Sequence, residues 1–184
     1  MDRRGFLSRG ALCTVLLAEP WTRSLVAQTL SSDGRPPAPI AEPHFPDRVH
    51  LFIWRNWELA NVDRLARVLG TSPGRVLEIG YSMGLPKKPV LTEEQLRRIY
   101  VTVIRQNWHI LPDEQLIQLL GWDRERFEFH LREDDFLWIK LGGLKPRCER
   151  LAYGAPSRAA RIRAREIKDL VRATFGPALE APGE

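Results

Sequence analysis

The chain has 184 residues, 43% of them hydrophobic and 28% charged, with six tryptophans. That is one domain with extensions and enough apolar material for a core, which excludes an intrinsically disordered protein. The net charge of +5 reads as a nucleic-acid signature only until it is located: residues 1–27 carry +2, residues 28–144 carry −1, and residues 145–172 carry +6.

The N-terminus holds Arg3-Arg4-Gly5-Phe6-Leu7, a consecutive arginine pair followed by an apolar pair, the core of a twin-arginine export signal. An apolar run from Ala11 to Ala18 follows, too short to span a bilayer, and Ala27 is a small residue suited to a cleavage site. Residues 1–27 are therefore expected to be a signal peptide, and the mature protein to be periplasmic or extracellular. Cys13 falls inside that segment, which leaves Cys148 without an intramolecular disulfide partner and without a second thiol for a zinc site. Residues 28–47 contain Pro36, Pro37, Pro39, Pro43 and Pro46, a composition that favours an extended tether.

A repeat begins next. Aligned to itself at an offset of 51 without gaps, the chain places Ile53 on Ile104, Asn56 on Asn107, Trp57 on Trp108, Leu65 on Leu116, Leu69 on Leu120, Gly70 on Gly121 and Arg75 on Arg126. Other positions keep their character, Val76 with Phe127 and Leu85 with Phe136 among them. Units 53–85 and 104–136 are thus two copies of one pattern. Each reads as a helix, a glycine in the left-handed position after it, and a second helix. In the first unit Thr71 or Ser72 caps the second helix and Pro73 opens it; in the second Asp123 caps it. Between the units, Thr92 and Gln95 form a capping box, and Leu91 and Leu96 have the spacing of a hydrophobic staple. One helix carrying Ile99 and Val103 is expected to run from there towards Trp108.

After the second unit, Phe136-Leu137-Trp138-Ile139 is apolar and Gly142-Gly143 ends it. A last helix is expected from near Ser157 to Gly176-Pro177, with Ala160, Ala164, Ile167 and Val171 as its apolar stripe and Arg158, Arg161, Arg165 and Arg172 around it. The expected fold is all-α. It comprises two tandem helix-turn-helix-like units joined by a helix within residues 48–144, a loop and basic amphipathic helix over 145–176, and a tail over 177–184.

A helix-turn-helix pattern raises the question of DNA. The exposed positions of the second helix in unit one carry Arg75 offset by Glu78, and residues 123–135 in unit two carry a net −3. A surface meant to face phosphate needs the opposite sign, so nucleic acid is disfavoured. A cytosolic helix-turn-helix DNA-binding regulator is the alternative reading.

No catalytic, cofactor-binding or metal set is assigned. His44, His50, His109 and His130 show no helical ligand spacing. Glu133-Asp134-Asp135 are adjacent acids of the kind that cap helices or face solvent. Ser82 satisfies G-x-S-x-G within residues 80–84, but a nucleophile elbow needs a preceding strand and here a helix precedes it. Trp54, Trp57 and Trp108 offer an aromatic platform for sugars or, more simply, core.

The stretches Phe52-Ile53-Trp54-Arg55-Asn56-Trp57-Glu58-Leu59, Ser82-Met83-Gly84-Leu85-Pro86, Asn107-Trp108-His109, Glu133-Asp134-Asp135-Phe136-Leu137 and Lys145-Pro146-Arg147-Cys148-Glu149 resemble the N-terminal helical region of large exported bacterial proteins. The later portion of those proteins is glycoside-hydrolase-like, of the α-glucuronidase or hexosaminidase kind. The resemblance covers residues 48–175 and carries over no functional residue. It implies an exported, non-catalytic helical module without the sugar-cleaving carboxylate pair, accessory to a carbohydrate-processing system. The expected partner is a glycoside-hydrolase-like protein or domain, with no cofactor, and with the membrane met only through the export signal.

Overall fold

The computed structural model describes residues 35–133 and 136–176; the expected signal peptide, Asp134, Asp135 and the tail lie outside the described residues. The chain divides into two units, Met1–Arg35 and Pro36–Glu184, and the second carries the fold. Among the described residues the structure is all-α, with nine helices and no strand. They are α1 (Arg48–Arg55), α2 (Val62–Leu69), α3 (Pro73–Ser82), α4 (Glu93–Arg98), α5 (Tyr100–Asn107), α6 (Asp113–Leu120), α7 (Arg124–Arg132), α8 (Leu137–Lys140) and α9 (Arg158–Phe175).

Local chemistry explains most of the boundaries. Gly70 and Gly121 sit at φ +64° and +68° after α2 and α6, the left-handed conformation that terminates a helix without Cβ strain. The amides of Thr71 and Trp122 return to the carbonyls of Ala66 and Ile117, the same closure in both units. Thr92 and Gln95 form the reciprocal capping box at α4, Asp123 accepts from the Arg126 amide at α7, and Ser157 accepts from Ala160 at α9. Ser72 occupies the cap position of α3 but makes no side-chain cap bond.

Two expectations are revised. The helix expected from Glu93 to Trp108 is broken at Ile99 (φ −98°, ψ 5°) into α4 and α5. The run Tyr100-Val101-Thr102-Val103-Ile104 is rich in β-branched residues, which weaken helix propagation. Leu85 and Phe136, matched in the repeat, part company: Leu85 is half-buried, whereas Phe136 is 71% exposed with φ +53°.

The repeat is longer than its sequence signal. α1 and α5 precede the two copies equivalently, so each unit is three helices: α1–α3 and α5–α7. They meet about a local two-fold axis. Arg55 donates to the carbonyl of Gln106, Asn56 and Asn107 bond each other, and Gln118 donates to the carbonyl of Arg67. Each is a contact between a residue and its own counterpart 51 positions away, as residues beside a two-fold make. Away from the axis, Gln115 reaches the Val68 carbonyl while its counterpart Arg64 reaches that of Leu120. α2 and α6 thus pack against each other as two halves of an internal dimer.

Leu65, Val76, Ile104, Leu111, Leu116 and Phe127 are buried to 1% exposure or less at the heart of the core. Full burial of such a side chain stabilises the fold by about 1.5–3 kcal/mol. Residues 36–47 contain no helix or strand, yet they are fastened to the core. Pro37 accepts from the Arg147 amide, Glu42 pairs with Arg55, and Arg163 donates to the carbonyl of His44. The closing helix α9 lies on α3 through Ala160, Ala164, Ile167 and Val171, the predicted stripe.

Candidate functional site

Two tryptophan–lysine cradles frame the molecule. Trp57 and Trp108 are each 2% exposed, and each indole N–H donates to a backbone carbonyl beyond its unit, Trp57 to Pro86 at 3.0 Å and Trp108 to Leu144 at 2.8 Å. Just after each acceptor stands a lysine. Lys88 Nζ lies 5.6 Å from the Trp57 ring and donates to the Ala60 carbonyl at 2.7 Å. Lys145 Nζ lies 4.7 Å from the Trp108 ring and donates to the carbonyls of Trp108 and Leu111. Ala60 and Leu111 are themselves counterparts in the repeat, so the cradles are equivalent. Burial pushes the pKa of Lys88 down to about 8, against an upward pull from Glu58. Burial likewise lowers Lys145, opposed mainly by Cys148 and Asp113.

Around the second cradle stand His109, Asp113 and Cys148. Burial, reinforced by Lys145 and Arg55, holds the His109 imidazole below its usual range. Burial raises Asp113, and it raises the Cys148 thiol despite Lys145 at 3.8 Å. The thiol is thus held protonated and is a poor nucleophile.

Of Trp54, Trp57 and Trp108, the one that is not buried is Trp54. It is half-buried, packs on Phe45 at 5.7 Å, and lines a cleft of about 360 Å³ with Arg55, Trp57, Glu58, Leu59, Leu85, Pro86, Thr102 and Gln106. The lining comes from both units, with Arg55 tied to Glu42 and to the Gln106 carbonyl. An aromatic face, a guanidinium, an amide and a carboxylate together suit a ligand with one apolar face and several hydroxyl or amide groups. Glu58 supplies the carboxylate of the lining.

The residues singled out from sequence go to separate places. His44 offers its backbone carbonyl to Arg163, and His130 packs against Tyr100, Trp122 and Phe129. His50 is 1% exposed with Nδ1 2.8 Å from Asp47. Burial works to raise Asp47, but hydrogen bonds from the His50 side chain and backbone outweigh it and hold the carboxyl below its usual pKa. Ser82 is the last residue of α3 and donates to the Ile79 carbonyl at 2.7 Å. Glu133 ends α7, and Asp134 and Asp135 lie outside the described residues. No group of three His, Cys, Asp or Glu residues placed to hold a metal occurs among the described residues.

Sequence reasoning missed the lysines. The signal was present as two Lys-Pro dipeptides, Lys88-Pro89 and Lys145-Pro146, one after each unit. They are 57 positions apart, so they fall outside the constant frame of the repeat; the intervening α8 supplies the extra length. Compared with protein-family models, curated proteins and solved structures, the chain matches none.

Proposed function

We propose that the chain is an exported, non-catalytic helical module that serves as an accessory or docking unit of a carbohydrate-processing, glycoside-hydrolase-like system. The cleft at the seam between the units carries this reading. It surrounds the open Trp54 ring with Arg55, Glu58, Thr102 and Gln106 and contains a single carboxylate, a composition made for binding rather than cleavage. The arginine pair at Arg3-Arg4 supports the export component, and the resemblance of stretches such as Phe52–Leu59 to exported glycoside-hydrolase-like proteins supports the carbohydrate component. Exposed Phe129 on α7 and exposed Phe136 and Ile139 beside it on and before α8 add apolar surface suited to a protein partner.

The test mixes the purified chain with the purified product of an adjacent glycoside-hydrolase-like reading frame and follows complex formation by calorimetry. A complex weakened tenfold or more by Trp54→Ala with Gln106→Ala is the expected result. No complex, together with an unrelated gene neighbourhood, would remove the carbohydrate link. A full-length cytoplasmic protein that binds duplex DNA in a salt-sensitive way would replace it with the regulator reading.

A further inference from the structure

The closing helix α9 carries a pattern that neither the core nor the cleft uses. Arg158, Arg161, Arg165, Lys168 and Arg172 recur at alternating steps of three and four residues. At 3.6 residues per turn they fall within an arc of about 80° and form a row about 21 Å long. None of these five takes part in an ion pair among the described residues, whereas Arg163, off the row, pairs with Glu166. Lys168 is half-buried against Gly84, and the four arginines are exposed. The acids nearest this surface are Asp169 and Glu166 on α9 itself and Glu78 on α3, the last already held by Arg75.

The row has apolar borders. Helical geometry puts Phe175 on one side of it and Ile162, with Asp169, on the other; the two apolar side chains are 56% and 42% exposed. α9 lies at the periphery, buried only along the narrow stripe of Ala160, Ala164, Ile167 and Val171, so a broad flat surface has access to the rest.

We infer that α9 is a docking face for an anionic phospholipid surface. Each guanidinium fits the phosphate oxyanion of a headgroup, and attraction to such a surface accumulates along a row of like charges. The bordering apolar side chains decide between polyanions. They have nothing to contact along a duplex phosphate backbone or a charged glycan, whereas between headgroups they reach the acyl boundary. The inference goes beyond the docking role proposed above and does not depend on it, because it concerns a different face and a different ligand.

The test is co-sedimentation of the full chain with phosphatidylcholine vesicles containing phosphatidylglycerol, against phosphatidylcholine alone, at low and physiological ionic strength. Binding is expected only to the anionic vesicles and to weaken with salt. Replacing Arg158, Arg161, Arg165 and Arg172 by Gln should weaken it about a thousandfold at low ionic strength. The matching Arg→Lys variant, which keeps the charge, should retain it within a few fold. Both variants carry the N-terminal arginine pair, so any contribution from that segment is common to them, and circular dichroism checks that they fold. Ile162→Ala with Phe175→Ala should reduce vesicle binding but not the weaker binding to inorganic polyphosphate. Failure to bind, equal binding to neutral vesicles, an unaffected Gln variant, or tighter binding to duplex DNA that the four Arg→Gln changes abolish would each overturn the inference.

Discussion

The side-chain amides of Asn56 and Asn107 bond each other reciprocally, each Nδ2 2.8 Å from the other's Oδ1, across the local two-fold between the units. Both residues are 0% exposed, and each amide gives its second proton to the carbonyl one turn back in its own helix, Phe52 or Val103. The pair is fully satisfied while intact and costly when broken. Asn56→Ala leaves Asn107 with a buried acceptor and a buried donor unpaired, a loss of about 3 kcal/mol in urea unfolding. Asn56→Leu with Asn107→Leu removes both polar groups together. The double variant should therefore cost less than the sum of the Asn56→Leu and Asn107→Leu singles by more than about 1 kcal/mol; strict additivity would show that the amides do not act as a unit.

Gly80 on α3 is required by the first tryptophan cradle. A Cβ built on it would stand 2.1 Å from Cζ3 of Trp57, and the indole, held by its N–H bond to the Pro86 carbonyl, cannot swing away without breaking that bond. Gly80→Ala is expected to lower stability by about 3 kcal/mol or more through overpacking, even though alanine favours the helix. The counterpart position holds Leu131, itself 5% exposed, so the two units differ here although their tryptophans match. Leu131→Gly should accordingly fail to relieve any strain and should destabilise through a cavity and lost helix propensity. Chemical unfolding of the two variants side by side separates these cases.

Features set by a few consecutive residues were legible in the sequence. The glycine turns at Gly70 and Gly121, the caps at Thr92, Asp123 and Ser157, and the buried stripe of α9 follow from local geometry. The facing of the two units was not. An offset of 51 says that the copies are alike, but the groups that join them are Arg55, Asn56, Arg64, Gln115 and Gln118, polar side chains that a hydrophobic pattern assigns to solvent. The seam cleft and the lysine cradles depend on that facing or on the length of α8, so neither could be read from periodicity.

The export reading has a separate test. Tat-type recognition depends on the paired guanidinium groups rather than on charge alone, so Arg3→Lys with Arg4→Lys should leave the protein in the cytoplasm at full length. The unaltered chain should be found outside the cytoplasm, shortened near Ala27, with mass spectrometry giving the new N-terminus. Equal fractionation of the two forms would remove the signal assignment and with it one support of the docking role.

Lys88 gives the fold a defined pH response. With a pKa of about 8 in place of 10.5, the folded chain releases this proton in a range where the unfolded chain still holds it. Unfolding therefore takes up a proton between those values, and stability rises with pH across the window. Below about 8 both states are protonated and the full cost of burying the ammonium is present; above about 10.5 both are neutral and the cost has gone. Lys88→Met removes the titration while keeping the stem over Trp57. Relative to that variant, the native chain should gain about 2–3 kcal/mol in urea unfolding between pH values of about 7 and 10.5. Lys145 shifts in the same direction and Cys148 in the opposite one, but both are common to the two proteins and cancel in the difference. A difference that stays flat with pH would mean that the Lys88 ammonium reaches solvent and that the cradle at Trp57 is open.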